Sequence, residues 1–432
     1  WLYVNRTMSN FMDMACGEVY KNPEIRFEDP SSNQVISRFT VINDTLDLSS
    51  EKVLLKVPNQ HMRHIGGSLA FDGEQNLYTQ RTAANTMDYR GKILRIHPEN
   101  DGTYSIPTGN LFKKDDPLAL PEIYVMGCRN PFRISVDKQT NTLYWGEVGP
   151  DAYADIPRGP KGYDEINSTK EGGFFGWPYF IANNLAYAKY NYDTEKAGEL
   201  FDATKPVNSS PNNTGKKILP PAKPALIWYP YAPSEEFPEL GQGGRTAMAG
   251  PVYHYDSNNN SNLKFPPYFD KALFIYDWMR GWIKVVRIDN NGKLINIEDF
   301  MPSTRFVSPI DMQFGPDGSL YLMEFGTTWG ANPDARLIKI EYIPGNRPPH
   351  IEIAANKTVG TCPLTVNFNS EGTLDYDKDD SLKYEWKFNS LEVQSSKPNP
   401  TFTFTAPGIY KVTLTVTDKE GAASSADIHI KA

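Results

Sequence analysis

Polar and cationic residues flank both ends of a predicted β-hairpin near the middle of the chain. Alternating apolar residues in 133–145, interrupted by a polar turn, are typical of two antiparallel strands. Arg129 and Asn130 precede the first strand, and Gly149 and Pro150 follow the second. A hairpin brings its two ends together at one edge of a sheet. We therefore expect a cation and several backbone oxygens to converge at that edge.

The composition indicates an all-β protein and excludes several classes of partner. Among 432 residues, 12% are aromatic, 32 are glycine and 34 are proline, which favours strands joined by many turns. The formal net charge is -8 and no run of lysine and arginine occurs, so nucleic acids and acidic membranes are poor partners. No apolar run approaches the length of a membrane span. The three cysteines show no metal-ligand spacing.

One hairpin pattern recurs along the chain. An alternating strand, a turn and a Leu-Tyr strand occur in 67–80, 132–146 and 312–322. Repeats spread this widely favour radially arranged sheets, as in a β-propeller, over the alternative of a single β-sandwich. We predict a propeller over residues 1–343. Because the first residues already read as a strand in mid-blade, we expect it to be incomplete at its N-terminus.

Residues 182–242 interrupt the strand pattern. This segment is rich in asparagine, proline, lysine and tyrosine, and a segment of this length without a strand period is often functional. Its aromatic residues need packing partners, so we expect an ordered insertion over the propeller mouth.

A second domain is predicted at the C-terminus. Residues 344–349 include Asn-Arg-Pro-Pro, which indicates a stiff linker. Beyond it, alternating runs within 350–432 predict an immunoglobulin-like β-sandwich with Trp386 as its core aromatic residue. The acidic stretch 375–380 lacks the glycine and glutamate of an EF-hand and is interpreted as a solvated loop.

The order of short motifs in the first region resembles a known family, the soluble quinoprotein glucose/sorbosone dehydrogenases. The motifs are Arg-Asn-Pro, the hairpin, Gly-x-Val-Gly-Pro-Asp, Asp-Glu-Ile-Asn and Gly-Trp-Pro, within residues 129–178. The resemblance implies a six-bladed β-propeller that binds pyrroloquinoline quinone and calcium. The runs YEWKF and PGIYKVTLTVTDKEG in 350–432 resemble a PKD domain, and propellers of this type precede a PKD domain in some bacterial proteins.

The resemblance also implies roles for five residues. His64 would be the general base that takes the proton of a sugar hydroxyl, a task that suits imidazole because its pKa lies near neutrality. Arg129 would polarise the quinone carbonyl that receives hydride, and Asn130 would contact the cofactor. The carbonyls of Gly149 and Pro150 would bind calcium, which prefers hard oxygen donors. Taken without the resemblance, these residues also fit a surface histidine, a loop-joining arginine and an ordinary Gly-Pro turn.

The sequence departs from the family where the carboxylates of the quinone would be held. Two arginines of the family pattern are replaced by Ser308 and Ile310. A tricarboxylate needs compensating cations. The resemblance places Arg245 and Arg280 near cofactor-contact positions, so these two arginines are the predicted substitutes.

Two functions remain open at this point. The first is an exported dehydrogenase, dependent on pyrroloquinoline quinone and calcium, that oxidises an aldose- or sorbosone-type sugar in the periplasm or on the cell surface. Its electron acceptor is not identified by the sequence. The second is a non-catalytic module that has lost the quinone and binds carbohydrate or a cell-surface protein. The missing arginines favour the second function, whereas His64, Arg129 and the Gly-Pro turn favour the first.

Overall fold

The protein is built almost entirely from β-strands and turns. The computed structural model describes residues 2–8, 33–58, 69–71, 77–191, 194–328, 332–375, 377, 381–388 and 394–432. The helical elements in these residues are two short 3-10 helices, Pro238–Leu240 and Pro267–Phe269. The predicted all-β class is confirmed. The chain divides into two compact units, Trp1–Ile340 and Glu341–Ala432. The linker predicted at 344–349 stays a prediction.

The described part of the first unit contains 24 strands, including the two strands of the predicted hairpin. In chain order they are β1 Leu2–Met8, β2 Asn33–Ile42, β3 Thr45–Pro58, β4 Ala70–Phe71, β5 Leu77–Thr82, β6 Gly91–Pro98, β7 Tyr104–Ser105, β8 Ile123–Met126, β9 Pro131–Asp137, β10 Thr142–Glu147, β11 Asp164–Thr169, β12 Gly173–Phe174, β13 Phe180–Ile181, β14 Leu185–Ala186, β15 Ala188–Asn191, β16 Lys196–Leu200, β17 Ile227–Tyr229, β18 Ala247–Val252, β19 Leu273–Asp277, β20 Trp282–Ile288, β21 Leu294–Phe300, β22 Pro309–Phe314, β23 Leu320–Glu324 and β24 Arg336–Ile340.

These strands form a succession of small, mainly antiparallel sheets. The larger sheets have the orders β1–β2–β3, β12–β8–β6–β5–β4, β9–β10–β11–β17, β18–β19–β20–β21 and β22–β23–β24. Strand β18 lies beside both β9 and β22, so the first strands of neighbouring sheets meet. This arrangement is expected of a propeller, in which sheets radiate from a centre. The number of six blades stays a prediction.

Aromatic side chains fill the spaces between the sheets. The ring centroids of Phe274 and Phe300 lie 5.3 Å apart, and Phe265 lies 5.9 Å from Phe300. Trp145 on β10 is fully buried in another cluster, with its ring centroid 4.7 Å from that of Phe175. Because β10 is buried along its whole length, the strand that leads to Gly149 and Pro150 is held from both sides.

The segment 182–242 is a mixture of short strands and turns in its described part. It contains β14 to β17, and Tyr229 on β17 is fully buried. Tyr179 packs against Phe201 with ring centroids 4.3 Å apart. The aromatic residues therefore do find packing partners, while a position of this segment over the propeller mouth stays a prediction.

The second unit contains two three-stranded sheets around an aromatic core. Its strands are β25 Ala354–Ala355, β26 Leu364–Asn369, β27 Lys383–Phe388, β28 Thr401–Phe404, β29 Ile409–Thr417 and β30 Ala423–Lys431. The sheet orders are β25–β26–β28 and β27–β29–β30. Trp386 is fully buried and its Nε1 donates to the carbonyl of Lys397 at 3.0 Å, in agreement with its predicted place in the core.

Within the residues that the structure describes, no helix has the length and apolar character that a membrane span requires.

Candidate functional site

The predicted hairpin brings Arg129 and Asn130 next to the turn that follows β10. Strands β9 and β10 pair in antiparallel register, with an irregularity between Gly146 and Glu147. The amide of Val148 donates to the carbonyl of Asn130 at 3.0 Å. The Arg129 guanidinium donates through Nη1 to the carbonyl of Val148 at 2.8 Å. Both Arg129 and Asn130 remain partly exposed.

Glu147 fixes the conformation of this edge. One of its carboxylate oxygens accepts the backbone N–H of Arg129 at 2.6 Å and also that of Asn130. The side chain is buried, and its burial, together with the neighbouring Glu165 carboxyl, raises the pKa of Glu147 to about 8. No role was predicted for this residue, although a glutamate that ends a fully buried strand is a signal that it has a structural partner.

Glu165 is a second buried carboxyl group at the same edge. It accepts the backbone N–H of Ala182 at 2.6 Å and the side-chain amide of Asn167 at 3.0 Å. Burial raises the pKa of Glu165 to about 7. Glu165, Glu147 and Arg129 are among the residues that line a small cavity of about 10 Å³. A cavity of this size holds about one water molecule.

The Gly149–Pro150 turn is hydrogen-bonded to Asp164 on β11 and to Arg245, which precedes β18. The amide of Gly149 donates to the carboxylate of Asp164 at 3.1 Å. The carbonyl of Pro150 accepts two hydrogen bonds, one from the amide of Ala152 at 2.9 Å and one from Arg245 Nη2 at 2.6 Å. A carbonyl oxygen has two lone pairs, so both are already used. The calcium predicted at this turn therefore does not fit the contacts around Pro150.

Arg245 is enclosed rather than directed towards a ligand. Its side chain has 0% exposure and forms an ion pair with Asp164, which is equally buried. Its guanidinium carbon lies 4.1 Å from the centroid of the Tyr231 ring. To contact a cofactor, Arg245 would have to leave Asp164 and Pro150, so its predicted role as a cofactor ligand has no support in these contacts.

The guanidinium of Arg280 donates hydrogen bonds to backbone carbonyls of the loop 230–244. Its guanidinium carbon lies 4.7 Å from the centroid of the Tyr229 ring. Its three nitrogens donate to the carbonyls of Pro230 at 2.7 Å, Leu240 at 2.8 Å, Gly244 at 2.9 Å, Gly241 at 3.1 Å and Gly243 at 3.3 Å. A guanidinium has five N–H donors, so this set uses all of them. A carboxylate of the quinone would have to displace some of these bonds.

Arg133, which had no predicted role, lies beside a position of the missing family arginines. Its Nε donates to the carbonyl of Ile310 at 2.7 Å, and the side chain is 21% exposed. Asp311 lies 3.6 Å from the same nitrogen. A cation on β9 therefore reaches the strand where the family pattern would supply one from β22. The sequence signal was an arginine within the alternating strand that follows Arg129 and Asn130.

Two further positions named from the sequence are His64 and Ser308. His64 lies outside the described residues. Ser308 has a φ of 52°, and its carbonyl accepts the amide of Phe325 at 3.0 Å. In the part of the chain that the structure describes, no group of three or more His, Cys, Asp or Glu side chains is arranged to hold a metal ion.

Comparison with known proteins finds a family model that matches a segment of each unit. Residues 19–215 match the family model described as Glucose / Sorbosone dehydrogenase, and residues 346–431 match that of the PKD domain. Aldose sugar dehydrogenase YliI of Escherichia coli is 28% identical over 60% of this chain and 57% of its own length. Quinoprotein glucose dehydrogenase B of Acinetobacter calcoaceticus is 25% identical over 54% of this chain and 56% of its own length. The chain thus spans about half the length of these curated relatives.

Solved structures include similar chains for both regions. The soluble aldose sugar dehydrogenase of Escherichia coli in its apo form has 21% identity and a TM-score of 0.44, covering 68% of this chain and 70% of its own. The PKD1 domain of Vibrio anguillarum Epp has 28% identity and a TM-score of 0.17, covering 20% of this chain and 95% of its own. The family matches confirm the resemblance, and the chain combines a region of the Glucose / Sorbosone dehydrogenase family with a C-terminal PKD domain.

Proposed function

We propose that this chain oxidises a sugar hydroxyl by hydride transfer to pyrroloquinoline quinone bound beside Arg129. The observation that carries the proposal is the convergence of Arg129 and Asn130 with the turn after β10, on backbone that the buried Glu147 holds in place. The family match of residues 19–215 supports the substrate class, and so does the similarity to relatives named as an aldose sugar dehydrogenase and a glucose dehydrogenase.

Arg129 suits the stabilisation of negative charge. One of its N–H groups donates to the carbonyl of Val148, and the guanidinium is partly exposed. Its backbone is fixed by Glu147, so the cation needs little reorganisation when a substrate or cofactor oxygen gains charge. The quinone, when bound, supplies the acceptor for hydride. His64 remains the proposed base for the hydroxyl proton.

The carboxylates of the quinone need further cations, and Arg133 supplies one. It lies four residues after Arg129, at the same end of the hairpin, and is partly exposed beside Ile310. Arg129, Asn130 and Arg133 are therefore the residues that we propose to hold the quinone. Arg245 and Arg280 donate to groups of the protein itself, so we do not propose them as ligands of the quinone. The proposal does not include calcium at Gly149 and Pro150.

Export to the periplasm or cell surface is part of the same proposal. It follows from the family of the first region and from the PKD domain, which would offer a surface for partners there.

Reconstitution with the quinone tests the proposal. The full chain, loaded with pyrroloquinoline quinone, should reduce an artificial dye when supplied with aldoses or sorbosone. Arg129→Ala should lose most of this activity, whereas Lys138→Ala, which removes an exposed cation at the opposite end of the same hairpin, should retain it. Loaded wild type that oxidises no sugar would contradict the proposal.

A second function is favoured by one specific observation. Of the four candidate arginines, Arg245 is buried in an ion pair with Asp164, and Arg280 donates all five of its N–H groups to backbone carbonyls. A chain that cannot gather enough cations for a tricarboxylate would keep the fold and bind carbohydrate without oxidising it. Binding of glycans together with no measurable affinity for the quinone would identify this function.

A further inference from the structure

We infer that the guanidinium of Arg245, and not a metal ion, is the cation that holds the Gly149–Pro150 turn. The inference concerns only the protein's own groups and does not depend on the quinone. It starts from the carbonyl of Pro150, which accepts a hydrogen bond from Ala152 at 2.9 Å and one from Arg245 at 2.6 Å. A metal ion at this oxygen would have to displace the arginine or lie against a like charge.

The counter-charge is provided by Asp164. One carboxylate oxygen accepts the Gly149 amide at 3.1 Å and the Arg245 guanidinium, and the other accepts the amide of Ala247 at 2.9 Å. The turn, β11 and β18 are thereby joined through one buried ion pair with 0% exposure on both sides. Such a pair satisfies its own charge, so the carboxylate of Asp164 is not free to bind calcium.

The space around the pair is equally restricted. A Cβ added at Gly162 would overlap the Pro150 carbonyl and lie 2.5 Å from Arg245 Nη2. A Cβ at Gly149 would overlap the carbonyl of Tyr163. The Tyr231 ring covers the outer face of the guanidinium. The guanidinium carbon of Arg245 lies 4.1 Å from the centroid of this ring. Calcium needs six to eight oxygen ligands at about 2.3–2.6 Å, and no such shell fits between the Pro150 oxygen and Arg245.

The inference predicts that the turn is independent of divalent cations and dependent on the arginine. In the full wild-type chain, the unfolding transition of the first unit should have the same melting temperature in EDTA and in excess calcium. Arg245→Met, which removes the charge and the donors while retaining much of the volume, should lower the melting temperature by roughly 5–10 °C. Arg245→Lys keeps a charge but loses the forked geometry, so its melting temperature should lie between the two.

Crystals of the wild type soaked in calcium or terbium locate any ion directly. We expect no anomalous density at the carbonyl oxygens of Gly149 and Pro150. Density bridging these two oxygens would overturn the inference, and so would an Arg245→Met chain as stable as wild type. If Arg245→Met does not fold, the soaked wild-type crystal still decides the question. Metal that binds only in the acidic stretch 375–380 of the second unit would be seen at that place and would leave the inference supported.

Discussion

Arg280 offers the sharpest test of whether the arginines of this site serve the fold or a ligand. Five carbonyls in residues 230–244 accept hydrogen bonds from its guanidinium. The Arg280→Ala substitution would leave these carbonyls to find water or remain unpaired. The bonds to Pro230, Leu240 and Gly244 are partly buried, whereas those to Gly241 and Gly243 are exposed.

The magnitude follows from the buried share of these bonds. A hydrogen bond from a charged donor contributes about 1.5–3 kcal/mol when buried, and exposed ones contribute far less. Because the three bonds are only partly buried, we count about 1 kcal/mol for each, which gives a loss in the free energy of unfolding of about 3 kcal/mol. For a large unit this corresponds to a fall in melting temperature of roughly 5 °C.

Thermal unfolding of the purified chain measures this effect without any ligand. Arg280→Lys is the matched control, since it preserves the charge but provides one point donor in place of a planar fork. We expect most of the loss to persist in Arg280→Lys. Unchanged stability in Arg280→Ala, combined with a loss of quinone affinity, would refute the structural role and restore Arg280 as a cofactor ligand.

Three further predictions concern other parts of the molecule. Burial raises the pKa of Glu147 from 4.5 to about 8, so its contribution to stability is complete below pH 4.5 and is lost as the pH rises towards 8; Glu147→Gln should flatten this part of the pH dependence of the melting temperature. Gly146→Ala would place a Cβ against the backbone of Ala247, and denaturant titration should show a loss of about 1–3 kcal/mol as β10 and β18 are forced apart. Trp386→Ala should cost the second unit about 3–5 kcal/mol, seen by calorimetry as a transition that moves while that of the first unit stays; a single shared shift would argue against independent unfolding.

The local features of the fold were predictable because they follow from apolar residues that recur every few positions. The hairpin of β9 and β10 follows from alternating apolar residues around a polar turn, and the buried Trp386 follows from its place in a strand of a sandwich. The convergence of Arg129 with the turn after β10 follows from the geometry of any hairpin. These inferences need only neighbours within about twenty residues.

The use of each charged group was not predictable in the same way. Arg280 finds its acceptors 36 to 50 residues away, and Arg245 finds Asp164 at a separation of 81 residues. Arg133 reaches Ile310 across 177 residues. No spacing in the sequence encodes such pairings, because they depend on how separate sheets and loops pack. The sequence singles out Arg245 and Arg280 but not Arg133, and the partners of all three arginines become evident only in the folded chain.

The reduction of bound quinone by sugar, observed without an external dye, tests the proposed function most directly. Under anaerobic conditions, the wild-type chain loaded with pyrroloquinoline quinone should lose the absorbance of the oxidised quinone when an aldose is added. Arg129→Ala should show a much slower change at equal quinone loading, because the cation that stabilises developing negative charge is absent. No absorbance change in loaded wild type, or an equal rate in Arg129→Ala, would contradict the assignment of this edge as a sugar-oxidising site.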